Sequence, residues 1–425
     1  MKDTKTYVSI DLCNDYTQMA YYVTNDMEEP LSLTTTKNDQ RYLVPTAVSK
    51  KNDSDEWLAG NDASNNKLAG YTYINNIVDK VLRGENVSAG NNNYSGDFLL
   101  KKFLITLIDK ATKAYQIKSI DYIVVTVENT DRILSDLLRG ILEEYGIDKN
   151  HIKVIGHSES LIYYMVFQKR ELWVNDVIIF DFTKDQFLMR RLQTMRVRRP
   201  WPVIVEEKDL SDKFNYEMLE TDEGKQRADE EFLKFVSDFC SKNIVSSVFF
   251  TGIGFNGKWM EKTVKYLCTK RRVFKGLNLF VKGAAFAAMS INGMGNADEY
   301  QFVCSGRTLV DINLQVNKDG KDVSVVLSKA GTNWYDAGAR AEGILDNVNS
   351  VNIEIDSSIS KKKEIVTLDL KDFPERPNKT TRIEVLLSYR SDRRLVIIAQ
   401  DMGFGDFYKS TGAQVKKEIN VEDYL

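Results

Sequence analysis

Two stretches of the sequence combine an apolar strand, an aspartate near its end and a short polar turn. The first is SIDLCNDYTQ, residues 9–18, and the second is IIFDFTKDQF, residues 178–187. This pattern is typical of hairpins that bind phosphate through backbone N–H groups. Such hairpins need glycine, because the main chain must approach the anion closely and often at positive φ. Neither stretch contains a glycine, so it is open whether a nucleotide still binds.

The turn residues are polar or acidic instead. Asn14 and Asp15 tolerate left-handed backbone conformations, so the first hairpin can form without glycine. Asp15 and Asp185 place carboxylates near the expected phosphates, and two like charges about 4 Å apart repel by roughly 1 to 4 kcal/mol. Lys184 offsets part of this repulsion. The turns therefore predict a nucleotide site that is weakened and does not turn its ligand over.

Three glycines elsewhere are further candidates for contact with a nucleotide. Gly252 and Gly254 follow an apolar strand and lead into a predicted helix, and Gly283 lies in a later helix rich in small residues. Glycine admits a close approach by either a ligand or another backbone. Close packing of helix against strand therefore explains these positions equally well.

The elements around these residues predict an α/β fold. Residues 97–115 place apolar side chains at helical spacing, and residues 5–12 predict a strand. Strands and helices recur in the same order in two halves, about 1–172 and 173–295. This recurrence predicts a duplicated module, residues 1–295, in which helices cover both faces of a sheet.

Residues 300–425 have a different sequence pattern. Short alternating runs separated by turn residues predict an antiparallel β-sandwich, with a helix as the alternative only near DAGARAEGIL, residues 336–345. Trp334 and Tyr335 precede that segment. We expect them to be partly exposed and to contact a bound peptide, and the alternative is that they anchor their loop to the sandwich.

Composition excludes several classes of protein. The chain has 425 residues, a net charge of −3, 43% hydrophobic and 28% charged residues, which are values of an ordinary globular protein. We find no apolar run of membrane-spanning length and no signal peptide. The four cysteines lack CxxC spacing. These features predict a cytoplasmic protein with reduced thiols and without a membrane partner.

Residues 189–202 are rich in arginine, a composition that is also found in segments that bind nucleic acid or acidic peptides. We favour a hairpin with a solvated basic face, neutralised by the acidic stretch VEEKDLSD that follows, and predict no nucleic-acid partner. The segment contains Arg190, Arg191, Arg196, Arg198 and Arg199.

The histidines and Cys13 do not form a metal-binding or catalytic motif in the sequence. His151 and His157 have no cysteine or carboxylate at metal-ligand spacing, so the sequence predicts no zinc site. Cys13 is expected to be an inert thiol, because the nearby Asp15 raises rather than lowers a thiol pKa.

Taken in order, these stretches resemble the DnaK-type seventy-kilodalton heat-shock chaperones of the actin-like ATPase superfamily. SIDLCNDYTQ and VIIFDFTKDQF correspond to the two phosphate loops of that family, and FFTGIGFNGKWMEKTVKYL to its adenosine-binding turn. VTLDLKDFPERPNKTTRIEVLLSYR resembles the end of its substrate-binding sandwich. The span 188–244 is much shorter than in the family, which implies a trimmed subdomain.

The resemblance implies a duplicated actin-like ATPase (ribonuclease-H-like) domain followed by the sandwich. It implies ATP or ADP with Mg²⁺ as cofactor. Asp11 and Asp181 would orient the hydrated metal, and Glu159 would belong to the catalytic group. The alternative is that these acids only cap strands or helices.

For function, we expect a chaperone-like protein with a non-hydrolysing nucleotide site and a sandwich that binds a protein or peptide segment. Two alternatives remain. One is an active chaperone ATPase with atypical phosphate loops, and the other is a scaffolding subunit.

Overall fold

The protein is described here by a computed structural model that covers residues 4–35, 42–66, 70–196, 199–357 and 362–424. It is a mixed α/β protein with a strand-rich C-terminal region. Within the covered ranges, no helix combines the length and the apolarity needed to cross a membrane.

The chain divides into two compact units. The first comprises Met1–Gln193 and Val205–Ala297, and the second comprises Thr194–Ile204 and Asp298–Leu425. The sequence places residues 194–204 in the first domain, whereas the structure assigns them to the second unit.

The first half of the first unit contains a sheet, two smaller sheets and five helices in its described part. The strands are β1 (Thr6–Leu12), β2 (Tyr16–Val23), β3 (Leu31–Leu33), β4 (Val44–Pro45), β5 (Val48–Lys51), β6 (Trp57–Ala59), β7 (Tyr71–Ile74), β8 (Asn86–Ala89), β9 (Asn92–Ser95), β10 (Tyr122–Val127) and β11 (Ile152–Gly156). The helices are α1 (Asn61–Asn65), α2 (Ile77–Arg83), α3 (Gly96–Tyr115), α4 (Arg132–Glu144) and α5 (His157–Val166).

The main sheet of this half has the order β11-β10-β1-β2-β3. β1 pairs antiparallel with β2 and parallel with β10, so it is a central strand. Val8 and Ile10 on one face and Tyr7 and Ser9 on the other are almost completely buried, as expected for a strand that is covered on both faces. The helix predicted over residues 97–115 is α3, whose cap Ser95 accepts a hydrogen bond from Phe98 N.

The second half has the same strand order. Its sheet runs β16-β15-β12-β13-β14, and β12 pairs antiparallel with β13 and parallel with β15. β12 therefore corresponds to β1 and ends at the second predicted turn. The elements are β12 (Asp176–Phe182), β13 (Phe187–Thr194), β14 (Trp201–Asp209), α6 (Asp222–Lys242), β15 (Val245–Thr251), α7 (Glu261–Cys268), β16 (Arg272–Lys275) and α8 (Leu279–Ile291).

Helices α5 and α8 pack closely. A Cβ atom added at Gly283 would lie 2.1 Å from Ser160 O, so only glycine permits this approach. Ser160 Oγ donates to Phe280 O at 2.5 Å, and Ser9 Oγ of β1 donates to Val281 O at 2.8 Å. These contacts fix the start of α5 relative to the end of β1.

The second unit is a sandwich of two four-stranded sheets, with the orders β19-β18-β21-β22 and β20-β23-β24-β25. Apolar residues from both sheets form one core. Segment 336–345 contains a strand, β20, so a helix there is wrong. The strands of the sandwich are β18 (Asp311–Lys318), β19 (Lys321–Ser328), β20 (Ala339–Ile344), β21 (Ser350–Asp356), β22 (Lys363–Asp369), β23 (Arg382–Ser391), β24 (Arg394–Gly403) and β25 (Gln414–Asn420), whereas β17 (Tyr300–Val303) pairs with β14.

Candidate functional site

A cavity of about 290 Å³ lies in the first unit, where the turns after β1 and β12 face each other. The start of α5, the segment after β15 and Phe280 of α8 complete its wall. Acidic side chains dominate its polar lining, namely Asp11, Asp15, Asp79, Glu128, Asp181 and Asp185. Such a wall repels a polyphosphate and attracts a cation.

The first turn, Cys13–Asp15, is held by contacts within the protein. Cys13 N donates to Tyr16 O at 3.2 Å, and Thr46 N donates to Asp15 O at 2.9 Å. Asn14 Oδ1 accepts from Asp79 N at 3.2 Å. Within the described residues, positive φ does not occur in this turn. The hairpin therefore closes in an ordinary conformation, without the left-handed geometry that Asn14 and Asp15 would tolerate.

The second turn, Thr183–Gln186, is bound by its own threonine. Thr183 Oγ1 accepts from Asp185 N at 3.3 Å and from Gln186 N at 3.2 Å, and Thr183 N donates to Gln186 O at 2.9 Å. Three backbone N–H groups that a phosphate would need are thus already engaged.

The two turns influence each other electrostatically. Burial raises the pKa of Asp15, and the neighbouring Asp185 raises it further, while Lys184 lowers it. Burial also raises the pKa of Glu128, and Asp181 and Asp11 add to that shift. The repulsion predicted between Asp15 and Asp185 is therefore present in the fold.

Asp181 is paired with a buried guanidinium. Arg190 of β13 is 1% exposed, and its Nη1 donates to Asp181 Oδ2 at 3.0 Å. Its Nε donates to Glu207 Oε1 at 3.4 Å. Burial alone would disfavour the charged arginine, but Glu207 and Asp181 together raise its pKa. A permanent cation therefore occupies the side of Asp181 where a metal would otherwise balance its charge.

Asp11 is paired with a histidine instead. His157, the first residue of α5, is 2% exposed, and its Nε2 lies 2.8 Å from Asp11 Oδ1. Cys13 Sγ lies 3.6 Å from the same Asp11 oxygen and 3.8 Å from His157 Nε2. The His157 ring stacks on Phe280 with a centroid distance of 3.9 Å. The three side chains form a compact cluster with one oxygen, one sulfur and one nitrogen donor.

In this cluster His157 has a carboxylate and a thiol as neighbours, which the sequence did not predict. The partners come from residues 144 and 146 positions away, so no local spacing reveals them. Cys13 has the raised pKa that the sequence predicts, but the causes differ. Burial is the largest, followed by Asp11, Glu128 and Asp181 rather than Asp15.

Only some of the predicted nucleotide-binding residues line the cavity. Asn14, Asp15 and Gly252 do, whereas Lys184, Gly254 and Gly283 are not part of its lining. All three glycines are closely packed against other residues. A Cβ at Gly252 would lie 2.3 Å from Phe182 O, and one at Gly254 would lie 2.4 Å from the Phe182 ring. Packing alone accounts for these glycines.

Of the three predicted catalytic acids, Asp11 and Asp181 line the cavity and Glu159 does not. Glu159 is 2% exposed and lies 3.6 Å from Lys153 Nζ. His157, Glu128 and Asp79 line the cavity but were not proposed from the sequence. The one sequence signal for Glu128 is the apolar run that precedes it, now β10, which indicates that Glu128 follows the end of a strand.

The arginine-rich segment is largely neutralised, as predicted, but it is not one solvated face. Arg190 is buried, Arg191 pairs with Asp176 at 2.6 Å and Arg199 with Glu299 at 3.4 Å. Arg196 is exposed. Arg198 lies outside the described residues.

In the sandwich, Trp334 is only 8% exposed and belongs to the core, so the expected exposure is wrong for this residue. Tyr335 packs against the same core and remains partly buried. These positions favour the alternative that both residues anchor their loop. Their role in peptide binding stays a prediction.

Two family models together match most of the chain. The model of the C-terminal part of the family of unknown function DUF5716 matches residues 29–305. The chain belongs to the DUF5716 family. The domain of unknown function DUF8552 matches residues 307–421, which fall within the second unit. No curated protein matches the chain.

Proposed function

We propose that this DUF5716 member is a chaperone-like binding protein with an actin-like α/β unit whose nucleotide site is degenerate and does not hydrolyse ATP. Its sandwich binds an extended segment of a partner protein. The active ATPase with atypical loops and the pure scaffold are the competing interpretations.

The shared strand order of the two halves supports the actin-like, ribonuclease-H-like interpretation. In each half a hairpin is followed by parallel strands on its other side, β10 and β11 in one and β15 and β16 in the other. The aspartates Asp11 and Asp181 end corresponding strands and line one cavity. Sequence resemblance and topology thus favour the same duplicated architecture.

The observation that argues most directly against turnover is the state of the two turns. Their backbone groups are bound by Tyr16, Thr46 and Thr183, and Asp15 and Asp185 project negative charge at the cavity. Catalysis of phosphoryl transfer depends on donors and metal ions that are already aimed at the phosphates.

ATP or ADP with Mg²⁺ does not fit these residues. Arg190 already neutralises Asp181, and His157 already contacts Asp11. A magnesium ion would have to displace both partners or bind through other carboxylates. We therefore assign no catalytic step to Asp11, Asp181 or Glu159.

For the partner segment, the edge of the sandwich at β19 is the best candidate. β19 is an edge strand in the order β19-β18-β21-β22, and Val325 and Val326 on it are 41% and 52% exposed. An edge strand with exposed apolar side chains can pair with an extended apolar peptide through its main chain. This edge lies immediately before the loop of Trp334, where the resemblance implies peptide binding.

Calorimetry tests the nucleotide half of the proposal. Titration of the full chain with ATP and Mg²⁺ should give no binding tighter than about millimolar, which is roughly 4 kcal/mol of binding free energy, and no phosphate release. Micromolar affinity with measurable hydrolysis would instead support the active ATPase.

A peptide array tests the other half. We expect apolar extended peptides to bind the full chain and Val326→Asp to remove that binding. Ile365→Asp is the matched control, because Ile365 is 62% exposed on β22, the opposite edge of the same sheet. Equal loss with both variants would overturn the assignment to β19, and no binding by the unmodified chain would favour the scaffold.

A further inference from the structure

The cluster at the end of β1 has the donor set of a transition-metal site. Asp11 offers a carboxylate oxygen, Cys13 a sulfur and His157 the ring nitrogen Nε2, and these atoms all lie within 4.8 Å of one another. Sulfur and imidazole ligands suit zinc and its neighbours, whereas magnesium prefers oxygen ligands alone.

Two of the three distances agree with one face of a zinc tetrahedron. Zinc bonds of about 2.3 Å to sulfur and about 2.0 to 2.2 Å to nitrogen and oxygen place neighbouring ligand atoms about 3.3 to 3.6 Å apart. The distances here are 2.8 Å for Nε2 to Oδ1, 3.6 Å for Sγ to Oδ1 and 3.8 Å for Sγ to Nε2. To accommodate an ion, the two sulfur distances would change by less than about 0.3 Å, and the Nε2–Oδ1 distance would lengthen by about 0.5 Å or more.

The surroundings hold the ligands in place. His157 is fixed by its stack on Phe280 and by the packing of α5 against α8. Its Nδ1 has no hydrogen-bond partner in the described part of the chain, so Nε2 makes all of the polar contacts of the ring. Glu128 lines the same cavity, and its carboxylate adds negative charge that favours a divalent cation.

The geometry points to a site for a zinc-class divalent ion held by Asp11 Oδ1, Cys13 Sγ and His157 Nε2, with a fourth position open to the cavity. Three protein ligands and an open position are the arrangement of exchangeable or catalytic rather than structural zinc sites. On binding, the thiol proton passes to solvent and the thiolate coordinates the metal. This inference goes beyond the proposed function and does not depend on it.

Metal titration of the full chain, stripped with a chelator and kept free of nucleotide, tests the inference. We expect one equivalent of Zn²⁺ to bind in competition with a chromophoric chelator, and Co²⁺ to give a thiolate charge-transfer absorption band. Excess Mg²⁺ should not displace either ion. Cys13→Ser should abolish the band, and Cys13→Ser and His157→Gln should each weaken zinc binding by about tenfold or more.

The matched controls are Cys268→Ser and His151→Gln, since both residues are exposed and lie outside the cavity. They should leave zinc affinity and the cobalt band unchanged. Circular dichroism confirms that each variant is folded, and if His157→Gln does not fold, the near-isosteric Cys13→Ser decides. Absence of the band, or zinc affinity that is unchanged in Cys13→Ser, overturns the site. Because nucleotide is absent, this result is separate from the ATP titration.

Discussion

Asp11 and Asp181 lie near the ends of corresponding strands of the two halves, yet their side chains have different partners. Asp181 is bound by Arg190, which is always charged and comes from the adjacent strand β13. Asp11 is bound by His157, which comes from helix α5 and can exchange its proton for a metal ion. Phe280 lies beside both of these partners. Its ring stacks on His157, and the ring centroid lies 5.3 Å from the Arg190 guanidinium.

This difference indicates that the two aspartates offer different chemistry to a ligand. The guanidinium closes the Asp181 side permanently, because a buried ion pair cannot give up one partner without a large cost. The imidazole and thiol on the Asp11 side are both metal ligands in other proteins. We therefore locate any remaining ligand chemistry in the first half of the unit.

The largest effect should follow the loss of Arg190. Arg190→Met removes a buried cation and leaves Asp181 without its partner, so we expect the free energy of unfolding to fall by about 3 to 5 kcal/mol. Urea denaturation measures this. Arg196→Met is the matched control, since Arg196 is exposed and should change stability by less than about 0.5 kcal/mol.

A double variant sharpens this test. Adding Asp181→Asn to Arg190→Met removes the uncompensated charge and should restore part of the lost stability. If Arg190→Met lowers the free energy of unfolding no more than Arg196→Met does, the buried Arg190–Asp181 pair is not what keeps a metal ion away from Asp181.

A smaller effect concerns the support of His157. Gly283→Ala places a methyl group 2.1 Å from Ser160 O, so we expect a loss of about 1 to 3 kcal/mol and, if the metal site exists, weaker zinc binding. Gly140→Ala in α4 is the control with open space around its Cβ, and it should stabilise the protein by about 0.5 to 1 kcal/mol. Thermal denaturation of both variants measures these changes in stability. A change in the same direction for Gly283→Ala and Gly140→Ala would contradict the close packing proposed for Gly283.

The smallest effect is electrostatic. The folded-state pKa of Asp15 is raised by burial and by Asp185, so the stability linked to this group is greatest at low pH and falls as the pH rises through that pKa. Asp185→Asn should lower the Asp15 pKa and stabilise the protein at neutral pH by less than about 1 kcal/mol.

Lys184→Met is the matched variant with the opposite sign, because Lys184 lowers the Asp15 pKa. Carboxyl NMR titration of both variants measures the shifts. Shifts of the same direction in the two variants would contradict a direct influence of the second turn on the first.

The sequence predicted the local features of this site well and its contacts poorly. Apolar runs ending at Asp11 and Asp181 identified the central strands, because a strand buried on both faces has a strong hydrophobic signal. The contacts of His157 and the burial of Arg190 were not predicted, because they depend on packing, and a histidine 146 positions from its carboxylate has no spacing signal. Trp334 was misjudged for the same reason, since burial in a loop is set by the sheets around it.

The central claim is that the two turns do not form a phosphate cradle. A crystal structure grown with ADP and Mg²⁺ tests it most directly. We predict that no phosphate oxygen lies within hydrogen-bonding distance of the backbone nitrogens of residues 13–15 or 183–186, and that Arg190 remains on Asp181. A diphosphate bound between these turns, with magnesium between Asp11 and Asp181 and Arg190 displaced, would contradict the account.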